Sequence, residues 1–299
     1  MLLPSYERND KHYKKKRGLM AYSSLLRRYR YQDPREIFAY FPFRAAEGEN
    51  WENSFAILAA MAQKENWHFN NPNFVKQYAN QSYPILTNYL NYTFLRLQEE
   101  NKIVYSEDND KACFNTGLQT SKGKDIFVTF FRNKRAEELN QSDWVFHVFC
   151  KSDSKKLSPY PAIPELATYI TDVKDLIFNT DYSIEPDLDH FLDHAKDRLP
   201  PILQENLEMA STLILGAIQS LVGQIRRDYK IAIPHWYEKK VQLLLPLVLT
   251  NEAGIPDVAL VVERDDNLRI YRGKTLLSMD MAYFDARLVT RLSDGWLNP

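Results

Sequence analysis

The chain is poor in glycine and cysteine and has no long apolar run. Nine glycines in 299 residues argue against a fold built on Gly-rich, phosphate-cradling turns. The two cysteines, Cys113 and Cys150, are too few for a disulfide framework or a zinc site on their own. Both sit in apolar, β-like runs, where a reduced and buried thiol is the expected state. Nothing approaches the ~18 consecutive apolar residues that span a bilayer, and the opening MLLPSYERND has no signal-peptide core. The expectation is a cytoplasmic protein with no membrane partner. There is also no excess of either charge, with 38 basic and 39 acidic residues, so the chain as a whole is not a polycation. The balance is local, however. Lys11 to Arg30 holds eight Lys or Arg and no acid, which reads as a solvated arm or as one that contacts phosphates.

What is present is apolar and aromatic: 44% hydrophobic, 13% Phe, Trp and Tyr. This is enough for one large domain or two ordinary ones. Residues 1–49 read as a basic arm and linker, with a short amphipathic helix from Leu19 to Arg30 and breaks at Pro34 and Pro42. Residues 50–118 follow as a module. Trp51–Gln63 has helical spacing, Asn73–Tyr78 is a second short helix, and Pro84–Glu100 is a third whose proline suits the first turn. KIVYSEDNDKACFNTGL then reads strand, polar turn, strand. Three helices and a hairpin is the winged-helix order, in which the third helix and the wing often meet nucleic acid.

Residues 119–299 form the remainder. DIFVTFF and WVFHVFC are strands, and His147 inside the second is expected to be a hydrogen-bonded core residue. A short helix is expected at Glu165–Tyr169, another at Asp187–Arg198, and a long one at Pro201–Asp228. VQLLLPLVL is a strand in which Pro246 marks an edge or bulge. DVALVVER, LRIYRG and TLLSMD make a three-strand meander, closed by a helix or turn at Met281–Leu288. No βαβ rhythm is present. The predicted class is α+β: a winged-helix-like N-terminal module, then an antiparallel-sheet domain with a long crossing helix.

Several catalytic patterns fail. Arg272-Gly273-Lys274-Thr275 lacks the earlier glycine of a P-loop and follows a strand. His190 and His194 share a helical face, but Phe191 replaces the glutamate of a metalloprotease helix and no third ligand is evident. Asp257, Glu263 and Asp265 are too few for a two-metal nuclease. No Lys-x-Asp-Gly-like turn offers a lysine for covalent nucleotidyl transfer. What remains is Arg226-Arg227-Asp228-Tyr229-Lys230 and, after Pro234, His235-Trp236-Tyr237-Glu238-Lys239-Lys240. Cations interleaved with aromatics suit a ligand of phosphates and bases; basic residues ending a helix also satisfy its C-terminus.

LNYTFLRLQEENKI, CFNTGL, DIFVTFFRN, RDYKIAIPHWY, VQLLLPLVL and YRGKTLLSMDMAYFDARL together resemble the bacterial family of domain of unknown function 3825, from about Trp51 to Trp296. The resemblance implies an RNA-associated protein, and for the family a role in RNA repair or strand joining without ATP. Residues at its polar motif positions include Asn91, Asn115, Thr116, Arg132, Asn133, Arg227, Tyr229, Lys230, Tyr237, Gln242, Tyr271, Asp280 and Arg287. The family often has Gln at the position of His235 and Asn at that of Asp285.

The expectation that follows is an RNA-acting enzyme handling phosphodiester or cyclic-phosphate ends, with RNA as partner and neither cofactor nor metal. Arg132, Arg227, Lys230 and Arg287 would hold phosphate oxygens. His235, Tyr237 or Asp280 would move a hydroxyl proton. Asn91, Asn115, Thr116, Asn133, Tyr229, Gln242 and Tyr271 would contact the nucleotide. The alternatives are a non-catalytic RNA-binding or adaptor protein and a nucleotide-sensing stress protein. Asn115-Thr116-Gly117 is either part of a cleft or a β-bulge.

Overall fold

Aromatic and β-branched runs alternate with polar turns along most of the chain, and in space they become two sheets. The computed structural model describes residues 21–27, 32–42, 52–69, 82–250 and 254–291. The first sheet has the order β1-β5-β4-β3-β2, from strands β1 (Ala39–Tyr40), β2 (Val104–Tyr105), β3 (Lys111–Gln119), β4 (Asp125–Arg132) and β5 (Trp144–Lys151). The second has the order β6-β10-β9-β8-β7, from β6 (Ser183–Glu185), β7 (Ile233–Tyr237), β8 (Lys240–Leu247), β9 (Val258–Asp265) and β10 (Ile270–Leu277). Among these ten strands β1–β5 and β6–β10 pair parallel and the other pairs are antiparallel; the class is α+β.

Among the described residues the helices are α1 (Glu52–Met61), α2 (Pro84–Glu99), α3 (Ala136–Leu139), α4 (Leu188–His194), α5 (Pro201–Gln204), α6 (Leu207–Ile225) and α7 (Met279–Arg287). Helix α2 buries Ile85, Leu86, Tyr89, Leu90, Phe94 and Leu97. It is sheathed because it lies with α7 between the sheets. Phe114, Val128 and Phe130 of the first sheet and Leu244, Ala259 and Val261 of the second join α2 and α7 in one core. Each fully buried phenylalanine there contributes about 1.5–3 kcal/mol of transfer free energy. Leu243, Leu245 and Leu247 point the other way, as a two-residue period requires, and meet Ile214, Ile218 and Leu221 of α6.

Several expectations change. The helix expected over Pro201–Asp228 is two helices. Asn206 interrupts it, its side chain accepting from Met209 N–H as the N-cap of α6. LRIYRG and TLLSMD are one strand, β10, bent by a bulge between Gly273 and Thr275. Gly273 belongs to packing: a Cβ there would stand 2.7 Å from Phe191 Cζ and 3.0 Å from Pro186 Cα. Residues 165–169 are not helical. Their backbone groups are taken up elsewhere: Glu100 accepts from Thr168 N–H while Arg96 and Lys102 donate to the Thr168 and Leu166 carbonyls. Pro246 is tolerated in a central strand because β7 begins opposite Leu244, leaving that side of β8 unpaired further on.

His147 is exposed, not core. A bulge in β5 opposite Thr129 and Phe130 turns it outward. Residues 21–27, expected within a helix, are not helical; Ser24 bridges Ile37, and Leu25 and Leu26 are fully buried. The rest of the basic arm, Trp51 and the helix expected at Asn73–Tyr78 lie outside the described residues. Helices α1 and α2 and the β2–β3 hairpin follow in the order read from the sequence, but β3 continues into β4 and β5. A boundary at 118–119 falls inside the β3–β4 hairpin, where Gln119 pairs with Asp125.

Candidate functional site

CFNTGL lies on β3 where the register with β4 shifts between Asn115 and Gln119. Asn115 Oδ1 accepts from Gly117 N–H at 2.9 Å. Thr116 Oγ1 donates to Ile126 O at 2.7 Å and accepts from Leu118 N–H at 3.2 Å. Gly117 has φ +75°, and a Cβ there would stand 2.4 Å from the Tyr89 hydroxyl. The triplet is a bulge in which Asn115 and Thr116 are buried and Gly117 is exposed, and Asn115 Oδ1 and Thr116 Oγ1 are used by the protein itself. Asn91 is similar: its Oδ1 holds Leu25 N–H at 2.9 Å. Tyr271 is buried, stacks on Phe178 with centroids 4.2 Å apart, and accepts from Asn179 N–H. Gln242 donates to Glu263, which Lys240 also holds.

The basic stretch after α6 is exposed. Arg227 donates to Gly223 O at 2.6 Å, as a cation closing a helix does. Asp228 accepts from Lys230 N–H, and Tyr229 and Lys230 face solvent. His190 and His194 are exposed with ring centroids 4.7 Å apart. No group of three metal-ligating side chains occurs among the described residues. Asp257 caps Leu249 and Thr250 N–H groups, and Asp265 pairs with Arg272 at 3.0 Å.

At the seam between α7 and β7, His235 is 1% exposed, and neither ring nitrogen has a hydrogen-bond partner among the described residues. Asp285 Oδ2 lies 4.0 Å from its Nδ1. Burial pushes the imidazole down to about 4, offset in part by the neighbouring Gln242 amide. Burial pushes the Asp285 carboxyl up to about 7, although 29% of its side chain reaches solvent. Tyr237 is at the exposed lip, its hydroxyl raised first by burial and then by Glu238 and Asp285. Asp280 accepts from Ser278 Oγ at the start of α7. Arg287, on the same helix, is committed elsewhere. It forms a two-pronged pair with Glu65, with Nη2–Oε2 at 2.8 Å, and lies over the rings of Trp67 and Tyr89.

Arg132 stands apart from these, at the end of β4. Its guanidinium lies 5.1 Å over the Trp144 ring and 3.8 Å from Asp143. It lines an open depression of about 440 Å³ with Tyr22, Tyr105, Asn109, Asp110 and Trp144. Tyr105 packs on Trp144 at 5.5 Å. The Tyr22 hydroxyl donates to Asp143 at 2.9 Å; burial and that carboxylate hold its proton on well above the usual phenol range. Lys134 takes Asp110 at 2.8 Å. Neighbouring Asn133 organises the β4–β5 loop, donating to Ser142 O and accepting from Arg135 N–H. Thus the candidate catalytic groups do not converge: His235 and Tyr237 share the seam, Arg287 is buried against Glu65, Lys230 is on the surface, and Arg132 is in the depression. Tyr22, Tyr105 and Trp144 were not singled out from the sequence, since nothing local links residues so far apart.

Residues 58–296 match the family described as "Domain of unknown function (DUF3825)". The chain belongs to that family. The DUF3825 match runs from within α1 past the end of α7, so it covers the second sheet, the seam, and all of the first sheet and the depression except β1 and Tyr22. No curated protein and no solved structure matches the chain. No helix among the described residues is long and apolar enough to cross a membrane.

Proposed function

We propose that this DUF3825 chain binds single-stranded RNA, seating one nucleotide in the depression at the end of the first sheet. The observation that supports it is the company Arg132 keeps: a half-exposed guanidinium beside the rings of Tyr22, Tyr105 and Trp144 in a single concavity. A guanidinium takes phosphate and a ring offers a stacking face, which is the chemistry of sequence-tolerant RNA binding. Tyr105 is the exposed ring and would stack the base. Asn109 lies where it would meet a base edge. Both belong to the β2–β3 hairpin, so in a winged-helix reading of α1, α2 and β2–β3 the wing itself lines the site.

The test is fluorescence anisotropy with a labelled oligouridylate at two salt concentrations. Arg132→Ala should weaken binding about ten-fold and lower the salt slope by about one. Tyr105→Ala should weaken it about ten-fold with the slope unchanged. Binding that ignores both substitutions, or no binding by the wild type, overturns the proposal. A mononucleotide that binds more tightly than the oligomer would favour nucleotide sensing.

A second reading, joining or processing of RNA ends, is supported by one observation: His235 and Asp285 adjoin with their acidities displaced in opposite directions, as acid–base pairs often are. Incubating RNA bearing a 2′,3′-cyclic phosphate, with and without ATP and metal, tests it. Unchanged length and end groups under every condition exclude the chemistry.

A further inference from the structure

The first sheet has a second face. Along β4, Ile126, Val128 and Phe130 point into the core, while Phe127, Thr129 and Phe131 point outward. The segment after β5 covers part of that outer face. Leu157 and Tyr160 pack over Cys113, Phe127 and Cys150, and the Tyr160 hydroxyl donates to Ala112 O. Cover stops there. Phe131 is left 41% exposed with the exposed His147 ring against it, centroids 4.2 Å apart. The two rings are held in place. The β5 bulge aims His147 outward, and its Nδ1 is 3.1 Å from Thr129 Oγ1.

Charge frames this pair of rings on two sides. Lys111 is the cross-strand partner of Phe131 on β3. Lys156 sits in the covering segment beside Leu157. Among the described residues neither lysine is in an ion pair, and after burial their charges are what depress the His147 pKa. Lys111 also acts on Asp108 in the β2–β3 turn, a carboxylate that Ser106 Oγ and Asp110 N–H already hold.

We infer that Phe131 and His147, flanked by Lys111 and Lys156, form a base-stacking subsite for single-stranded nucleic acid on the outer face of the first sheet. One base would lie on the Phe131–His147 platform, and the phosphates on either side of it would meet the two ammonium groups. The choice of polymer rests on the RNA-binding reading above; the platform itself is independent of the depression, since the side chains of Phe131 and Arg132 leave β4 on opposite faces.

The experiment uses the full chain, an oligouridylate or oligothymidylate of roughly a dozen nucleotides, long enough for more than one subsite, and uridine monophosphate. Phe131→Ala should weaken oligomer binding about ten-fold, and Phe131→Tyr should restore it, because what is lost is a stacking face. The double substitution Lys111→Ala with Lys156→Ala should lower the salt slope by about two. Saturation with oligomer should raise the His147 pKa, followed through its ring proton by NMR, because phosphates cancel the lysine field. Mononucleotide binding should not respond to Phe131→Ala. Oligomer affinity that Phe131→Ala leaves unchanged, or a His147 titration indifferent to bound oligomer, overturns the inference, as does failure of the wild type to bind either polymer. Loss with Phe131→Ala but not with Arg132→Ala or Tyr105→Ala keeps the platform and removes the depression; the reverse pattern does the opposite. Phe131→Ala should melt close to the wild type, which separates lost stacking from lost fold.

Discussion

Substitution of Arg287 distinguishes an RNA contact from a structural one. Arg287 and Glu65 side chains are 9% and 7% exposed, and the guanidinium lies 5.1 Å from the Trp67 ring and 4.6 Å from the Tyr89 ring. Burial alone would lower its pKa, but the Glu65 hydrogen bond and charge reverse the shift. Arg287→Met keeps the bulk and leaves Glu65 a buried anion. Removing one member of a buried pair costs about 3–5 kcal/mol. Arg291 Nε, 3.8 Å from Glu65 Oε2, tempers the orphaned charge, which places the expected loss near ~3 kcal/mol. For a chain of this size that lowers Tm by roughly 5 °C. Circular-dichroism melting and urea titration at neutral pH measure it. Adding Glu65→Gln should recover most of the loss, because no unpaired charge then stays buried. Two results refute the reasoning: a single variant that melts like the wild type, or a double variant no better than the single. A variant of unchanged stability that has lost RNA affinity would mean that Arg287 serves RNA.

Gly117→Ala should cost about 2 kcal/mol or more in urea titration, since a left-handed φ of +75° and the Tyr89 hydroxyl both oppose a Cβ; an unchanged midpoint contradicts the bulge. Asn115→Ala should soften the fold by about 1–3 kcal/mol, because Gly117 N–H loses its acceptor, with RNA affinity unchanged once the protein is kept below its transition. The His235–Asp285 pair predicts two opposed pH slopes. Asp285, raised from 3.8 to about 7, contributes stability below pH 4 that is lost as pH rises to about 7. His235, lowered from 6.5 to about 4, contributes stability above pH 6.5 that is lost as pH falls to about 4. The two cancel in part between pH 4 and 6.5. His235→Gln should therefore expose a stability that falls with pH, and Asp285→Asn one that rises, in urea titrations at several pH values; parallel profiles for all three proteins would exclude the coupling.

Local patterns were legible where the chain obeys one period at a time. The strand assignments at 125–150 and the closing helix near 281–288 follow from alternation and spacing that packing does not override. The errors share a cause. Asn206 splits a long apolar helix because a capping side chain outweighs periodicity, and His147 leaves the core because one extra residue in β5 inverts the phase. The site was less legible still. Asn91, Asn115 and Thr116 look like ligand contacts in a list of polar residues, yet each holds the backbone of a distant or bulged segment. Arg132 was visible as a cation, but Tyr22, Tyr105 and Trp144 reach it only through the strand order β5-β4-β3-β2 and the return of residues 21–27 onto that end of the sheet. That is tertiary information, absent from any window of the chain.

The strand lengths carry one more consequence. Each sheet keeps its eight- and nine-residue strands inside and ends on short ones: two residues in β1, two in β2, three in β6, five in β7. The longest of these margins contains Pro234, which has no N–H to offer. A neighbouring molecule meeting the outermost strand of either sheet finds only a short row of free amides on that strand. Short edge strands and an edge proline each disfavour strand addition at those margins, so lengthening β2 or replacing Pro234 with valine should lower the concentration at which the chain stays monodisperse.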